Sequence, residues 1–324
     1  MDKEIAICLA AYNGEKYLKQ QIESIIVQSN QNWKLYIRDD GSCDGTCDII
    51  KRFVKQYPEK IIWVKSGSST RSFSKNFMST LKYATSKSEH QYFMFCDQDD
   101  VWFSDKIEES LRKLKKIQDG EDDPALVYTD GVLVDSDLNV IADSVAAYRH
   151  YNYENVSLQK AILFGYANGC TMLWNRGLNN LIRFDVDLEM YHDKQISLLA
   201  ASCGKKGYLN KPTMLFRTHA KNESSSHNKA QNILSVPKLA YNMLFKNGLN
   251  NAKENYADIY RCASNFFCAY KSVMPEESQL IFTDFRNIAN ASFLKRKYLT
   301  FKKGFLRNTT EGGLVEIITQ LIIC

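Results

Sequence analysis

Three times in the first hundred residues, a short apolar run gives way to a polar turn and then to a stretch with helical apolar spacing, and a fourth apolar run follows. Residues 5–11 (IAICLAA) are apolar on both faces, as a strand inside a parallel sheet must be. Asn13-Gly14 follows, then Leu18, Ile22, Ile25 and Ile26 at helical intervals. The pattern returns with a strand at 35–37 and a helix through Ile49, Ile50, Phe53 and Tyr57. It returns again with a strand at 61–64 and a helix through Phe73, Phe77 and Leu81, and a fourth strand covers 92–96. Such βα alternation predicts an α/β fold: a doubly wound, mostly parallel sheet flanked by helices, with ligands at the carboxyl ends of the strands. Beyond it the pattern predicts a helix over 106–117, a strand over 125–134, a helix over 193–202 stopped at Gly204, and two short strands ending in LFRTH.

The carboxyl-end rule turns positions into candidates. The polar groups just after the four strands are Tyr12 and Asn13, Asp39 and Asp40, residues 66–71, and Asp97 to Asp100, and all four sets are expected to face one crevice. The last set, in FCDQDD, places three carboxylates behind a buried strand. Crowded like charges need a cation, a hydrogen-bond cage or open water to stay ionised. Continued strand alternation would project Asp97 and Asp99 to one side, which suits a Mg²⁺ or Mn²⁺ ion whose shell is completed by phosphate oxygens. The bland alternative is a solvated cap for a helix starting near Ser104.

Other motifs carry weaker signals. In IRDDGSCDGT an Asp pair at a strand end can accept hydrogen bonds from a flat polar ring edge, or can simply form an acidic turn. Asp193 stands at the start of an apolar-striped helix, where the dipole favours an anion, and an ordinary capping aspartate would look the same. Arg217 and His219 occupy alternate positions at a strand end. An arginine there can neutralise a diphosphate and a histidine can ligate a metal, although lone histidines are more often structural. Neither GxGxxG after the first strand, nor GxxxxGK[ST], nor GxSxG occurs, so dinucleotide-fold, P-loop and serine-hydrolase chemistry are unsupported.

Taken together, AAYNGEKYL, IRDDGSCDGT, FCDQDDVW, NGCTMLWNR, HD and FRTH resemble the family 2 glycosyltransferases of the GT-A fold, most of all their bacterial rhamnosyltransferase-like branch, over residues 3–226. The resemblance implies an inverting, metal-dependent enzyme that moves a sugar from a nucleotide-diphosphate donor, dTDP-rhamnose or a UDP-hexose, to an acceptor hydroxyl during cell-surface polysaccharide synthesis. It further implies that Ala10, Tyr12 and Asp39 hold the nucleobase, that Asp97 faces the ribose and Asp99 the metal, and that Asp193 is the catalytic base. Gly169 would line the sugar site, Arg71 and Lys75 would approach base or diphosphate, and Arg217 and His219 would close over diphosphate and metal. Ala11 stands where many members carry proline, and His192 where many carry an acid.

Residues 227–324 hold 13 Lys and Arg against 7 Asp and Glu, although the whole chain is only +5. They read as a mainly helical, basic extension to a domain spanning 1–226, with a boundary in the Ser/Asn-rich stretch 222–232. Within them, residues 293–307 interleave six basic residues with aromatic and aliphatic ones and contain no acid, which suits contact with anionic lipid and a lipid-linked or glycan acceptor. Packing on the catalytic domain is the plainer alternative. No apolar run is long enough to span a bilayer and no secretory leader is evident, so the nine cysteines are expected to be reduced thiols in a cytoplasmic protein peripheral to the inner membrane face. Two rival readings are a haloacid-dehalogenase-like phosphatase using the DxD, and a non-enzymatic nucleic-acid-binding module using the basic tail.

Overall fold

The structure is a computed structural model that describes residues 4–65, 67–87, 90–120, 122–149, 151–219 and 248–305. Ser66, the boundary expected at 222–232 and the apolar tail at 314–324 lie outside the described residues. The chain divides into two units: Met1–Val145, Ala167–Asp185 and Tyr191–Arg217 form the first, and Ala146–Tyr166, Val186–Met190 and Thr218–Cys324 the second.

The first unit is a nine-stranded sheet with helices. Its strands are β1 (Glu4–Ala11), β2 (Trp33–Asp39), β3 (Ile61–Trp63), β4 (His90–Cys96), β5 (Val101–Trp102), β6 (Ala125–Val134), β7 (Val140–Ala142), β8 (Met172–Asn175) and β9 (Lys205–Arg217). They run in the order β3-β2-β1-β4-β8-β6-β9-β5, with β7 beside β6. Strands β3, β2, β1 and β4 are parallel; β8 is antiparallel to both β4 and β6. The chain moves outward from β1 to β3 and then returns to β1's other side for β4. That reversal opens a crevice at the carboxyl ends of β1 and β4.

Helices α1 (Leu18–Ile26), α2 (Thr46–Gln56), α3 (Phe73–Thr85) and α4 (Lys106–Ile117) fall where the apolar spacing put them, burying Leu18, Ile22 and Ile25; Ile50 and Phe53; Phe77 and Leu81; and Ile107, Leu111 and Leu114. Glu108 and Glu109 open α4 and Lys115 and Lys116 close it, each sign matched to its end of the helix dipole. Helix α5 (Val145–Tyr148) crosses between the units, and α6 (Leu158–Leu163) belongs to the second. The short α7 (Arg176–Asn179) and the longer α8 (His192–Cys203) complete the first.

Two expectations change. The two short strands before Arg217 are one strand, β9, whose register against β6 jumps so that Leu209 faces Thr129 and Pro212 faces Asp130. Proline cannot donate to a ladder, so the strand bulges there and continues. Before Ser104, Val101 and Trp102 form β5, antiparallel to β9, rather than a simple approach to a helix.

In the second unit, α9 (Gly248–Tyr270), α10 (Glu276–Ala289) and α11 (Phe293–Lys302) agree with the expected helical extension. Its core is aromatic: Phe267 stacks on Phe282 at 5.3 Å, Tyr260 on Phe285 at 4.5 Å, and Phe305 meets Phe285 at 5.2 Å.

Candidate active site

Loops after β1, β2 and β4 are laced together by side chains. Beyond β1, the Asn13 amide donates to Ser42 Oγ at 2.8 Å in the loop after β2, and the Gly14 amide to Thr46 Oγ1 at 2.8 Å at the start of α2. Asn13 has φ 46°, the left-handed region that asparagine tolerates. Toward β4, the carboxamide of Gln98 receives the Tyr12 amide at 2.9 Å and donates to the Tyr12 carbonyl at 3.0 Å. Gly14 leaves room for this clamp: a Cβ there would lie 2.3 Å from Gln98 Oε1, so the Gln98 carboxamide would have to move. Ala10, half-buried in β1, sits opposite Arg38 of β2.

The acidic pair after β2 is saturated. Asp39 accepts from the amides of Gly41 (3.1 Å) and Ser42 (3.0 Å) and from the Ser42 hydroxyl. Asp40, 5% exposed, pairs with Arg38 Nη1 at 2.7 Å and accepts from the Thr70 amide (2.6 Å) and hydroxyl (3.0 Å). Burial alone would raise the Asp40 carboxyl, but the Thr70 bonds and the guanidinium outweigh it and hold it low. Arg38 also donates to Asn76 and to the Ser68 carbonyl, fixing the loop that carries Arg71. Arg71 is exposed with φ 51°, and Lys75 is exposed on the first turn of α3.

The acids after β4 are not satisfied in this way. Because β4 ends at Cys96, strand alternation does not extend through residues 97–100, and it is Asp97 and Asp100 that converge with Cys170. One ligand atom from each lies within 4.8 Å of the others. Burial, then the charge of Asp99, pushes both carboxyls up; Asp193 adds to the pressure on Asp97, which the Cys170 thiol partly relieves by hydrogen bonding. Asp100 Oδ1 accepts the Arg217 amide at 3.0 Å, while its buried Oδ2 has no partner. Lys106, 0% exposed, lies below, its ammonium 3.1 Å from Thr213 Oγ1 and over the Trp102 ring; burial lowers it to about 8, and the Asp100 charge opposes that shift.

Asp193 and Gly169 meet at the rim: a Cβ on Gly169 would sit 3.6 Å from that of Asp193 and 2.8 Å from His192 Nε2. His192 is stacked on Phe77 at 4.2 Å, with Phe95 and Phe73 edge-on, and its ring nitrogens have no partner. Burial drops its pKa to about 4, so the ring is a neutral wedge at neutral pH. Its amide donates to Ser74 Oγ at 2.8 Å, joining the start of α8 to the start of α3 beside Lys75.

Arg217 is 2% exposed. It donates through Nε to the Asp99 carbonyl (2.6 Å), through Nη1 to the Ser136 carbonyl (2.7 Å) and through Nη2 to Gln20 Oε1 (2.7 Å), and it lies over the Tyr17 ring. It staples the acidic loop to β9 and α1. His219, half-buried, falls in the second unit.

The first unit therefore carries Ala10, Tyr12, Asp39, Arg71, Lys75, Asp97, Asp99, Gly169, Asp193 and Arg217 on strand ends, loops and helix starts toward the carboxyl edge. Sequence reasoning missed the Gln98 clamp, the Arg38–Asp40 pair and Lys106. Only Lys106 left a usable trace, since it shares the α4 face with Ser110 and Leu114, where a lysine is out of place.

Comparison with known proteins gives the same frame. RfbG of Shigella flexneri, a dTDP-rhamnosyl transferase, is 28% identical over 235 residues, covering 66% of this chain and 73% of that protein. The glycosyltransferase GlyA of Streptococcus pneumoniae is 25% identical over 231 residues, and the match spans 67% of this chain but only 31% of GlyA. S. aureus TarS superposes with a TM-score of 0.54 at 14% identity, covering 98% of this chain and 55% of TarS. TarS 1–349 in complex with UDP-GlcNAc gives 0.53 at 15%, covering 98% and 89%. These likenesses place the fold as GT-A. The glycosyl transferase family 2 model matches residues 6–181, more than half of the chain, and the chain belongs to that family.

Proposed function

We propose that this chain is an inverting glycosyltransferase that moves a sugar from a nucleotide-diphosphate donor to an acceptor hydroxyl in cell-surface polysaccharide synthesis. The observation that carries the reading is the convergence of Asp193 with the Asp97–Asp100 cluster at the carboxyl edge of β1 and β4. In this reading the Asp193 carboxylate takes the proton from the acceptor hydroxyl as its oxygen bonds to the sugar's anomeric carbon. The bond from that carbon to the diphosphate breaks on the opposite face. Tyr12 and Asp39 flank the nucleobase, Asp97 the ribose, and Arg71 and Lys75 bring positive charge to the diphosphate from loop and helix start. Gly169 leaves room for the sugar beside Asp193. Arg217 keeps a supporting role, because its donors are already committed to protein acceptors.

The acidic cluster fits a divalent cation. Asp100 Oδ2 is buried without a partner, and the carboxylates supply hard oxygen donors of the kind Mg²⁺ and Mn²⁺ prefer. Asp97 and Asp100 would hold the ion with Asp99 beside them; the Cys170 thiol, pushed up by burial, stays a proton donor. When bound, the ion supplies Lewis-acid stabilisation of the leaving diphosphate. The similarity to RfbG favours dTDP-rhamnose as donor, with UDP-hexoses next. The acceptor is proposed to be lipid-linked or a glycan, met by a catalytic domain spanning 1–226 with a basic extension, peripheral to the cytoplasmic face of the membrane. Family membership favours this over the phosphatase and nucleic-acid readings.

The test is donor binding and hydrolysis across UDP-, dTDP- and GDP-sugars, with and without Mn²⁺, for wild type, Asp100→Asn and Asp193→Asn. The reading requires one donor to bind with metal, Asp100→Asn to weaken that binding, and Asp193→Asn to bind normally without turning over. Absence of binding by every nucleotide sugar would sink it.

A further inference from the structure

Within the second unit, α11 carries an apolar stripe that faces solvent. Leu294, Tyr298 and Phe301 are 79%, 60% and 55% exposed, although they are i, i+4 and i+7 on one helix. The opposite side is engaged: Thr300 is buried and Lys303, the residue after the helix, pairs with Asp284 of α10 at 2.9 Å; beyond the helix Phe305 is buried against Phe285. At about 100° per residue, Lys295 and Lys302 flank the stripe on one side and Lys297 flanks it on the other. The Lys302 ammonium lies over the Tyr298 ring, 5.3 Å from its centroid. From residue 293 to 305 there are five basic residues and no acid.

A soluble helix normally turns such a stripe inward. Here it is turned outward and bracketed by lysines whose long stems let their ammonium groups rise to a headgroup plane while the aromatic rings and the leucine enter the acyl boundary. Nucleic acid would use the charge but leave the stripe in water, whereas an anionic bilayer uses both. We propose that the Leu294–Tyr298–Phe301 face of α11 is an interfacial docking surface for a bilayer carrying anionic lipid headgroups. This deepens the peripheral placement above and rests on the sugar-transfer reading only for the reaction it would serve.

The test is flotation of the full chain with neutral phosphatidylcholine vesicles and with vesicles of equal parts phosphatidylcholine and phosphatidylglycerol. The wild type should float with the mixed vesicles and stay behind with the neutral ones. Lys295→Gln/Lys297→Gln/Lys302→Gln should lower partitioning about a hundredfold, from the headgroup attraction of three lysines. Leu294→Ser/Tyr298→Ser/Phe301→Ser should lower it by a similar factor, about a hundredfold, from lost apolar burial. Both variants should hydrolyse nucleotide sugar in solution like wild type, which verifies their folding. Equal flotation on neutral vesicles, undiminished flotation of the serine variant, or retention on duplex DNA in place of vesicles overturns the proposal. So does flotation seen only after residues 314–324 are removed, because the chain's own tail would then be the occupant. Intact, variant-sensitive flotation with no donor hydrolysis in any protein supports the docking face and defeats the sugar-transfer reading instead.

Discussion

The parallel strands β2 and β4, on either side of β1, both lead into clustered aspartates, yet the two ends are built in opposite senses. After β2, Asp40 has a guanidinium and a threonine on its oxygens and its carboxyl is held low. After β4, Asp97 and Asp100 have each other and Asp99, an unpartnered oxygen, and carboxyls pushed up. The first pair is finished by the protein and holds loops in place. The second is left incomplete, and a cation is what would complete it. Identical residue types at two strand ends of one sheet are thus left in different states by what surrounds them, one bonded within the protein and the other with a buried carboxylate oxygen still open.

Mutation of each pair in turn tests that division. The largest effect should come from Asp100→Asn, which is expected to cut sugar transfer by roughly a hundredfold or more, since in the proposed reading several kcal/mol of Lewis-acid stabilisation would depend on the cluster; steady-state kinetics against Mn²⁺ concentration will measure it. Full activity in that variant would erase the distinction between the two ends. Next, Asp40→Asn should destabilise the fold by about 3 kcal/mol because it strands the buried Arg38 charge. Urea unfolding checks this, and an unchanged midpoint would mean that the β2 end is not a scaffold.

Smaller and opposite in sign, Asp100→Asn should raise the melting temperature of the metal-free protein by relieving a buried, crowded carboxylate. Scanning calorimetry with and without Mn²⁺ will show it, and the cation should stabilise only the wild type appreciably. The smallest effect is the pH profile. A carboxyl raised on folding binds protons more tightly in the native state, so the metal-free protein should lose stability as pH rises from about 4 through the raised values of Asp97 and Asp100. Asp40 acts the other way, its contribution being lost as pH falls through its depressed value. Melting curves of Asp100→Asn between these limits should be flatter than those of wild type.

Most of the sheet could be read from the sequence because β1, β2 and β4 are buried on both faces and the helices that follow the strands repeat an apolar stripe. β5 and the bulge in β9 could not, since two residues carry no period and a proline inside a strand reads as an ending. The acids at the strand ends could be located for the same reason that β1 to β4 could. Their division of labour could not, because Arg38 lies within a strand and Thr70 lies some thirty positions from Asp40. The shift from Asp97 and Asp99 to Asp97 and Asp100 has the same origin: alternation holds only as long as the strand does, and β4 stops at Cys96.

The clamp between Gln98 and the Tyr12 backbone has a consequence for how this chain can diversify. Gln98 Oε1 stands where a side chain on Gly14 would begin, so the two positions form one unit of inheritance. Enlarging residue 14 would displace the Gln98 carboxamide and, with it, untie the loop after β1 from the acidic loop after β4, so the two positions are expected to vary in a correlated way.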